Sequence, residues 1–296
     1  MNASLHSLLQ YDYFVVYTMD GKLVFVGLGL GDLKDVTVRG LEEIRSSDYV
    51  FLEHYTAILP DCEIADMEKF YGKTIILADR DMVESSSDEI IDKAKSSKVS
   101  VLVVGDPFCA TTHSDLFLRA KNLGIQVSVV HNASIVSAIG CTGLHIYRLG
   151  EIITVPFWMG NWKPDSFYDK IKMNKVNGLH TLCLLDIKVK ERSLENLMKG
   201  RDIFEPPRFM TVRQALEQLV EIEANRGERL VLPESLVVGV ARVGKNDQAI
   251  KFGTVEEMMN EKTGPDCELG GPLHSLVICG DLHEMEREFL EQYRYH

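Results

Sequence analysis

The chain has 296 residues, with 44 acidic against 32 basic side chains for a net charge of −12, and is 45% hydrophobic and 26% charged. This is ordinary globular composition, long enough for two domains, and it excludes a disordered or collagen-like protein. The acidic balance withholds the broad cationic face that non-specific nucleic-acid binding needs, so no nucleic acid is expected as a partner.

No apolar run approaches the roughly 18 residues of a membrane span. The opening MNASLHSLLQYDYFVVYTMD lacks a basic leader and a clean small-residue cleavage site. A cytoplasmic protein without membrane association is expected. Cys62, Cys109, Cys141, Cys183, Cys267 and Cys279 lie far apart with no C-x2-C pair, and read as reduced thiols. Met19 sits just before the first strong strand, so residues 1–20 read as an N-terminal extension outside the fold.

From Lys22 onward, short β-branched runs alternate with apolar stripes at helical spacing. Strands are predicted at Lys22–Val26, Tyr49–Glu53, Thr74–Leu77, Val99–Val104 and Gln126–Val130, with helices at Val36–Ser46, Ser87–Lys95 and Ser114–Asn122. Most of these strands are apolar throughout, which predicts a largely parallel sheet covered on both faces, with right-handed crossovers. Capping boxes mark two helix starts, Ser86 with Glu89 and Thr211 with Gln214. Later strands are predicted near Glu151–Val155, Leu179–Leu185, Ser235–Val243 and His274–Cys279, separated by longer segments that suggest more antiparallel pairing. The chain thus reads as an N-terminal α/β domain over 21–150 and a C-terminal α/β domain over 151–296, divided near Gly150.

Three strand ends carry ligand-binding character. Gly27, Gly29, Gly31 and Asp32 follow the first strand, where glycines permit sharp turns and close ligand approach. The spacing fails the dinucleotide pattern G-x-G-x-x-G because Asp32 holds the third glycine's place, although Glu53 stands about where a ribose-binding acid would be. A tight turn that binds nothing is the competing reading. Gly105-Asp106-Pro107 ends another strand, so Asp106 is placed to face a cleft; alternatively it only breaks the strand while Thr112 caps the next helix. His131-Asn132-Ala133-Ser134-Ile135 ends the fifth strand, and His131 reads either as a ligand or as a packed histidine. His113, Ser114 and Asp115 are consecutive and no G-x-S-x-G elbow exists, which argues against a hydrolase. No histidine pair has metal-ligand spacing, so no metal is expected. The stretch from Asp186 to Arg208 concentrates Lys188, Lys190, Arg192, Lys199, Arg201 and Arg208, either to steer an anionic partner or as a solvated face balanced by its own acids.

Together, GLGLGD, TVRGLE, FLEHYTAIL, VVGDPF, ATTHSDL, HNASI, LHTLCLLDIKVKERSLENLMKG, EPPRFMTVRQA, VGVARVG and GPLHSLVICG resemble the diphthine synthase family, in the tetrapyrrole-methylase-like class of S-adenosylmethionine (SAM) methyltransferases. GLGLGD indicates only the wider class, whereas DIKVKERSLENL with EPPRFM is specific to the family. The resemblance covers Lys22 to about Asp281 and implies two αβα domains of the tetrapyrrole methylase type. Their sheets would be mostly parallel in the N-terminal domain and mixed in the C-terminal one, with SAM in the cleft between them and a homodimer as the working form. Matching positions imply cofactor contacts at Leu30, Asp106, Cys109, Ser134, Ile135, Leu185, Val243 and His274; Cys109 stands where the family has a small glycine or aliphatic residue.

The implied substrate is elongation factor 2 carrying a histidine extended by a 3-amino-3-carboxypropyl group, methylated on its amine and, in eukaryotes, esterified. No residue is identified to accept the amine's proton. The Lys188–Arg208 segment is expected to meet the substrate carboxylate or the factor's surface. A precorrin-type C-methyltransferase would share the glycine loop but lack DIKVKERSLENL; an NAD oxidoreductase would change nicotinamide absorbance; a non-catalytic SAM-binding protein would bind cofactor without consuming it.

Overall fold

Five strands whose side chains alternate between two buried faces form the first sheet: β1 (Lys22–Gly27), β2 (Tyr49–Glu53), β3 (Ile76–Ala78), β4 (Lys98–Val103) and β5 (Gln126–Val130). The computed structural model describes residues 20–55, 58–59, 62–85, 87–192, 196, 198–201, 203–260 and 269–294. All neighbouring pairs run parallel in the order β3-β2-β4-β1-β5. Leu23 and Phe25 of β1 face a core with Ile90, Ile91 and Leu116 from the helices Asp88–Ala94 and Ser114–Asn122. Val24 and Val26 face the opposite core, with Ile44 and Met67 from the helices Val38–Arg45 and Ile64–Tyr71. The period of two therefore supplies both faces of a sandwiched sheet.

The second sheet takes β6 (Ile153–Val155), β7 (Thr181–Leu185), β10 (Leu236–Ala241), β11 (Ala249–Thr254) and β12 (His274–Ile278) in the order β11-β10-β12-β7-β6. Only β6 and β7 pair in parallel; the other three pairs are antiparallel. One face is covered by Ala215, Leu216 and Leu219 of the helix Val212–Arg226, the other by Ile139, Leu144 and Leu290. Residues 135–149 thus pack with the second sheet although they precede its first strand. A two-residue hairpin, β8 (Ile187–Lys188) with β9 (Arg208–Phe209), follows β7. The expected class, one parallel and one mixed sheet between helices, is the observed one.

Differences are local and have side-chain causes. The helix expected at Val36–Ser46 starts at Val38, because Thr37 Oγ1 accepts the amide of Gly40 and fixes the cap. The strand expected at Thr74–Leu77 is Ile76–Ala78; Ile75 donates its amide to Glu68 Oε1 at 2.8 Å instead of joining the ladder. The Thr211–Gln214 capping box is present, while Ser86 lies outside the described residues. Also outside them are residues 1–19 of the expected extension and Cys267. The other five cysteines are free thiols. Among the described residues no helix is long and apolar enough to cross a membrane.

Candidate active site

In sheet one, β1 and β4 are neighbours whose outgoing connections leave for opposite sides, β1 toward β2 and β4 toward β5. Such a switch point opens a crevice at the strands' carboxyl ends. The two loops that leave there are joined by an isolated bridge: Gly105 donates its amide to Gly29 O at 2.7 Å, and Gly29 returns one to Gly105 O at 3.3 Å. Both glycines have left-handed backbone, φ 78° and 80°. In sheet two, the carboxyl ends of β7 and β10 and the amino end of β12 lie together, because Leu184 pairs with Ser275 and Ala241 with His274. This edge faces the crevice of sheet one, and the gap is a cavity of about 190 Å³.

All eight residues singled out in the sequence, Leu30, Asp106, Cys109, Ser134, Ile135, Leu185, Val243 and His274, line this one cavity. They come from six segments and two sheets. Their polar groups are largely occupied in shaping the wall. Asp106 Oδ1 accepts the Phe108 amide at 2.9 Å, while Oδ2 accepts His131 Nδ1 at 2.8 Å and the Asn132 amide at 3.2 Å. Burial pushes the Asp106 carboxyl up, but the Phe108 amide, His131 and the Asn132 amide outweigh it and hold it below the ordinary carboxylate value. Ser134 Oγ accepts the Val136 amide and caps a short helix. His274 is buried, with Nδ1 accepting the Val212 amide at 3.3 Å and Nε2 donating to the carbonyls of Gly270 and Gly271 at 3.1 and 3.0 Å.

The glycine loop is a packing device. A Cβ at Gly27 would stand 2.7 Å from Gly105 O, and one at Gly31 would stand 2.6 Å from Gly244 O in the loop after β10. The Gly31 amide is already accepted by Asp35 Oδ2 at 2.7 Å. The loop therefore joins the two halves and presents Leu30 to the cavity. Glu53, the possible ribose ligand, is fully buried, accepts the Tyr55 amide at 2.9 Å, and does not line this cavity. His131 is neither packed nor free: it is largely exposed and bound to Asp106. Thr112 is no helix cap, since its hydroxyl donates to Glu84 Oε1 at 2.8 Å. His113 is buried on Pro107 O and Asp115 pairs with Arg119, so the three consecutive triad types do not assemble.

Two residues gain a positioning role that the sequence does not assign to them. Asn132 Nδ2 donates to the carbonyls of Gly27 at 3.0 Å and Asp35 at 2.9 Å, stapling the β5 loop onto the β1 loop. Its place between His131 and Ser134 was the available signal. The Asn132→Ala variant leaves both carbonyls without this donor and is expected to lose ~1–2 kcal/mol of stability, read as a lower urea midpoint. Arg242, with φ 50°, donates to Leu269 O at 2.6 Å, to Gly271 O and to Asp247 O, and so holds the loop that carries His274.

The sequence profile of the tetrapyrrole (corrin/porphyrin) methylases matches residues 22–259. The diphthine methyl ester synthase of Dictyostelium discoideum is 53% identical over 273 residues, 92% of this chain and 98% of that protein. The chain belongs to the diphthine methyl ester synthase family. The diphthine methyl ester synthase of Homo sapiens is 54% identical over 90% of this chain and 93% of its own length. A crystal structure of diphthine synthase superimposes with a TM-score of 0.76 at 35% identity, covering 92% of this chain and 96% of that one. As a member of the diphthine methyl ester synthase family the protein is a methyltransferase, and the cavity between its two sheets suits a methyl donor. Leu30, Ile135, Leu185 and Val243 give it apolar walls, and a Cβ at Gly105, which also lines it, would make only ordinary contacts, with no atom nearer than 3.8 Å.

Proposed function

We propose that this enzyme transfers methyl groups from SAM, held in the cavity between the two sheets, to the 3-amino-3-carboxypropyl-histidine of elongation factor 2, forming diphthine methyl ester. The observation that supports this best is the convergence of the eight residues, distant in sequence, on one cavity of a methylase fold. In this reading 21–150 and 151–296 are the two domains, and Leu30, Asp106, Cys109, Ser134, Ile135, Leu185, Val243 and His274 hold the donor. By the same resemblance the working form is a cytoplasmic homodimer that acts without nucleic acid or membrane.

SAM supplies an electrophilic methyl on a sulfonium, so the protein's task is alignment and exclusion of water. The apolar side chains enclose the donor. Asp106, Asn132 and Arg242 fix the three loops that shape the wall, so that little reorganisation remains when the donor binds. Cys109 lies half-buried on the wall, with its amide donating to Asp106 O at 3.3 Å.

The acceptor is expected to approach along a polar groove of about 300 Å³ that meets the cavity at Ile187. Arg80, Lys188, Lys190 and Arg192 line it together with Asp79, Asp81 and Glu191, so four cations stand against three acids, and the cations would receive the acceptor's carboxylate. Part of this charge is answered locally, because Lys188 pairs with Glu191 at 3.1 Å and with Asp186 at 3.5 Å, and Arg208 also pairs with Glu191. The direct test is to incubate the pure protein with SAM and elongation factor 2 bearing the unmethylated side chain, and weigh the modified peptide. Methylation of both amine and carboxylate is expected. An unchanged mass with donor binding confirmed would move the assignment to another acceptor.

A further inference from the structure

An amine acceptor arrives as an ammonium without a lone pair, so a methyl transfer to it begins with the loss of a proton. We infer that His54 is the general base that takes this proton, where residues of the donor-cavity wall meet residues of the acceptor-groove wall. This inference rests on the aminocarboxypropyl group being the acceptor.

His54 directly follows β2, at the carboxyl edge of the parallel sheet, and its amide donates to Ala78 O at 3.1 Å, which extends the ladder and fixes its place. It lines a small cavity of about 30 Å³ together with Ile58 and Val104, and those two side chains also line the donor cavity. Lys190, whose charge acts on the His54 ring, lines the acceptor groove with Tyr55, the residue after His54. An acceptor whose carboxylate rests among the groove's cations therefore brings its amine toward this junction.

Several neighbouring groups are committed elsewhere. Both ring nitrogens of His274 and both carboxylate oxygens of Asp106 are hydrogen-bonded. His131 is held by Asp106, and Glu53 is sealed from solvent on the Tyr55 amide. Burial, reinforced by Asp66, pushes the Cys62 thiol up to about 11, so it remains protonated. The half-buried His54 ring, by contrast, makes no hydrogen bond to a described residue. The groups that face it are Lys190 from the hairpin segment, Glu53 on its own strand and Cys62 across the small cavity. Burial first, and then Lys190, lower its basicity while Glu53 opposes them, and the balance lies below the ordinary imidazole value. The ring is therefore neutral near pH 7 and free to accept.

In the step, an ammonium proton passes to the His54 ring. The freed nitrogen lone pair forms the new N–C bond to the methyl, and the C–S bond breaks with its electron pair left on sulfur. The imidazolium then returns its proton to solvent before the next transfer. A carboxylate oxygen already carries its lone pair, so ester formation needs no such step.

The test compares His54→Gln with the parent on two acceptors: the factor with the unmethylated amine, and the factor whose amine is already quaternary, so that only the carboxylate can react. The ratio of amine to carboxylate transfer is expected to fall about 10²-fold in the variant, with affinity for S-adenosylhomocysteine unchanged. In the parent, amine transfer should decline as pH falls through the imidazole's titration while ester formation does not follow it. The His54 resonance in histidine-labelled protein, assigned by its loss in the variant, should titrate below the ordinary imidazole value and shift when acceptor is added. An unchanged ratio, an equal fall on both acceptors, or a resonance insensitive to acceptor would overturn the inference. A parent protein inert on both acceptors would instead sink the proposed function itself.

Discussion

The Gly105→Val variant is expected to remain folded and to lose methyl-donor binding by more than ~10³-fold, equivalent to ~4 kcal/mol. Gly105 has φ 80°, in the region that favours glycine, and valine there costs ~1–3 kcal/mol of backbone strain. The protein itself offers no collision, because the atoms nearest to an added Cβ are Ala133 O, Leu30 Cδ2 and Ser134 Cα at 3.8 to 3.9 Å. The added side chain therefore occupies the space between Leu30 and Ser134, which is the cavity. Gly31→Val makes the useful contrast. Its Cβ would strike Gly244 O at 2.6 Å and Asp35 Oδ2 at 2.8 Å, so it should damage the joint between the halves and lower thermal stability more than the Gly105 change does. Calorimetric titration with S-adenosylhomocysteine, beside a melting curve, separates the two effects. Retention of affinity within about tenfold in a folded Gly105→Val protein would remove the donor from this cavity.

The Glu223→Ala variant is expected to lose ~3–5 kcal/mol of folding stability, which denaturant unfolding would read directly. Glu223 is a buried carboxylate near the end of the helix Val212–Arg226, and it organises the turn that follows. Its oxygens accept the Tyr168 hydroxyl at 2.6 Å and the amides of Arg229, Leu230 and Val231 at 2.6, 2.7 and 3.2 Å. Truncation would leave the Tyr168 hydroxyl and the amides of Leu230 and Val231 buried without this partner. Burial alone raises the carboxyl's affinity for a proton, but the Tyr168 hydroxyl and the three amides outweigh it and hold the group at about 2. A depressed folded-state value means that the contribution is complete above the ordinary carboxylate value of 4.5 and is lost as pH falls toward about 2. The parent should therefore lose stability over this acid window, and the variant, already without the contribution, should show a flatter profile there. A variant with an unchanged denaturant midpoint would refute this role.

The elements and the family were legible in the chain because they follow from local pattern. Alternating apolar residues in β1 and β4 dictate a two-faced buried sheet, and Thr211 with Gln214 dictates a helix start. Elements without a local pattern were not legible. The helix Tyr168–Val176 buries only Tyr168, Ile171 and Asn174, so its apolar stripe is too thin to read, and the edge strand β11 was passed over. The glycine loop was legible as a place of close approach, but not as to what approaches. At Gly27 and Gly31 it is protein backbone, whereas at Gly105, on the cavity wall, a Cβ would make only ordinary contacts. Such a distinction depends on atoms that only the fold brings together.

The site divides in the same way. Resemblance to the family at the motif positions pointed to eight residues from six segments, and that much was available before the fold. Their meeting in one cavity follows from the switch point between β1 and β4 and from the antiparallel pairing of β10 and β12, which no local pattern encodes. Asn132, Arg242 and His54 are ordinary polar residues in sequence. Asn132 and Arg242 gain meaning only from carbonyls brought to them by distant loops, and His54 from the cavity walls beside it. The sequence determined which chemistry-bearing groups exist and which strands carry them. The tertiary structure decided which of those groups are consumed in holding the walls and which remain free to act, because hydrogen-bond partners are assigned by proximity in space.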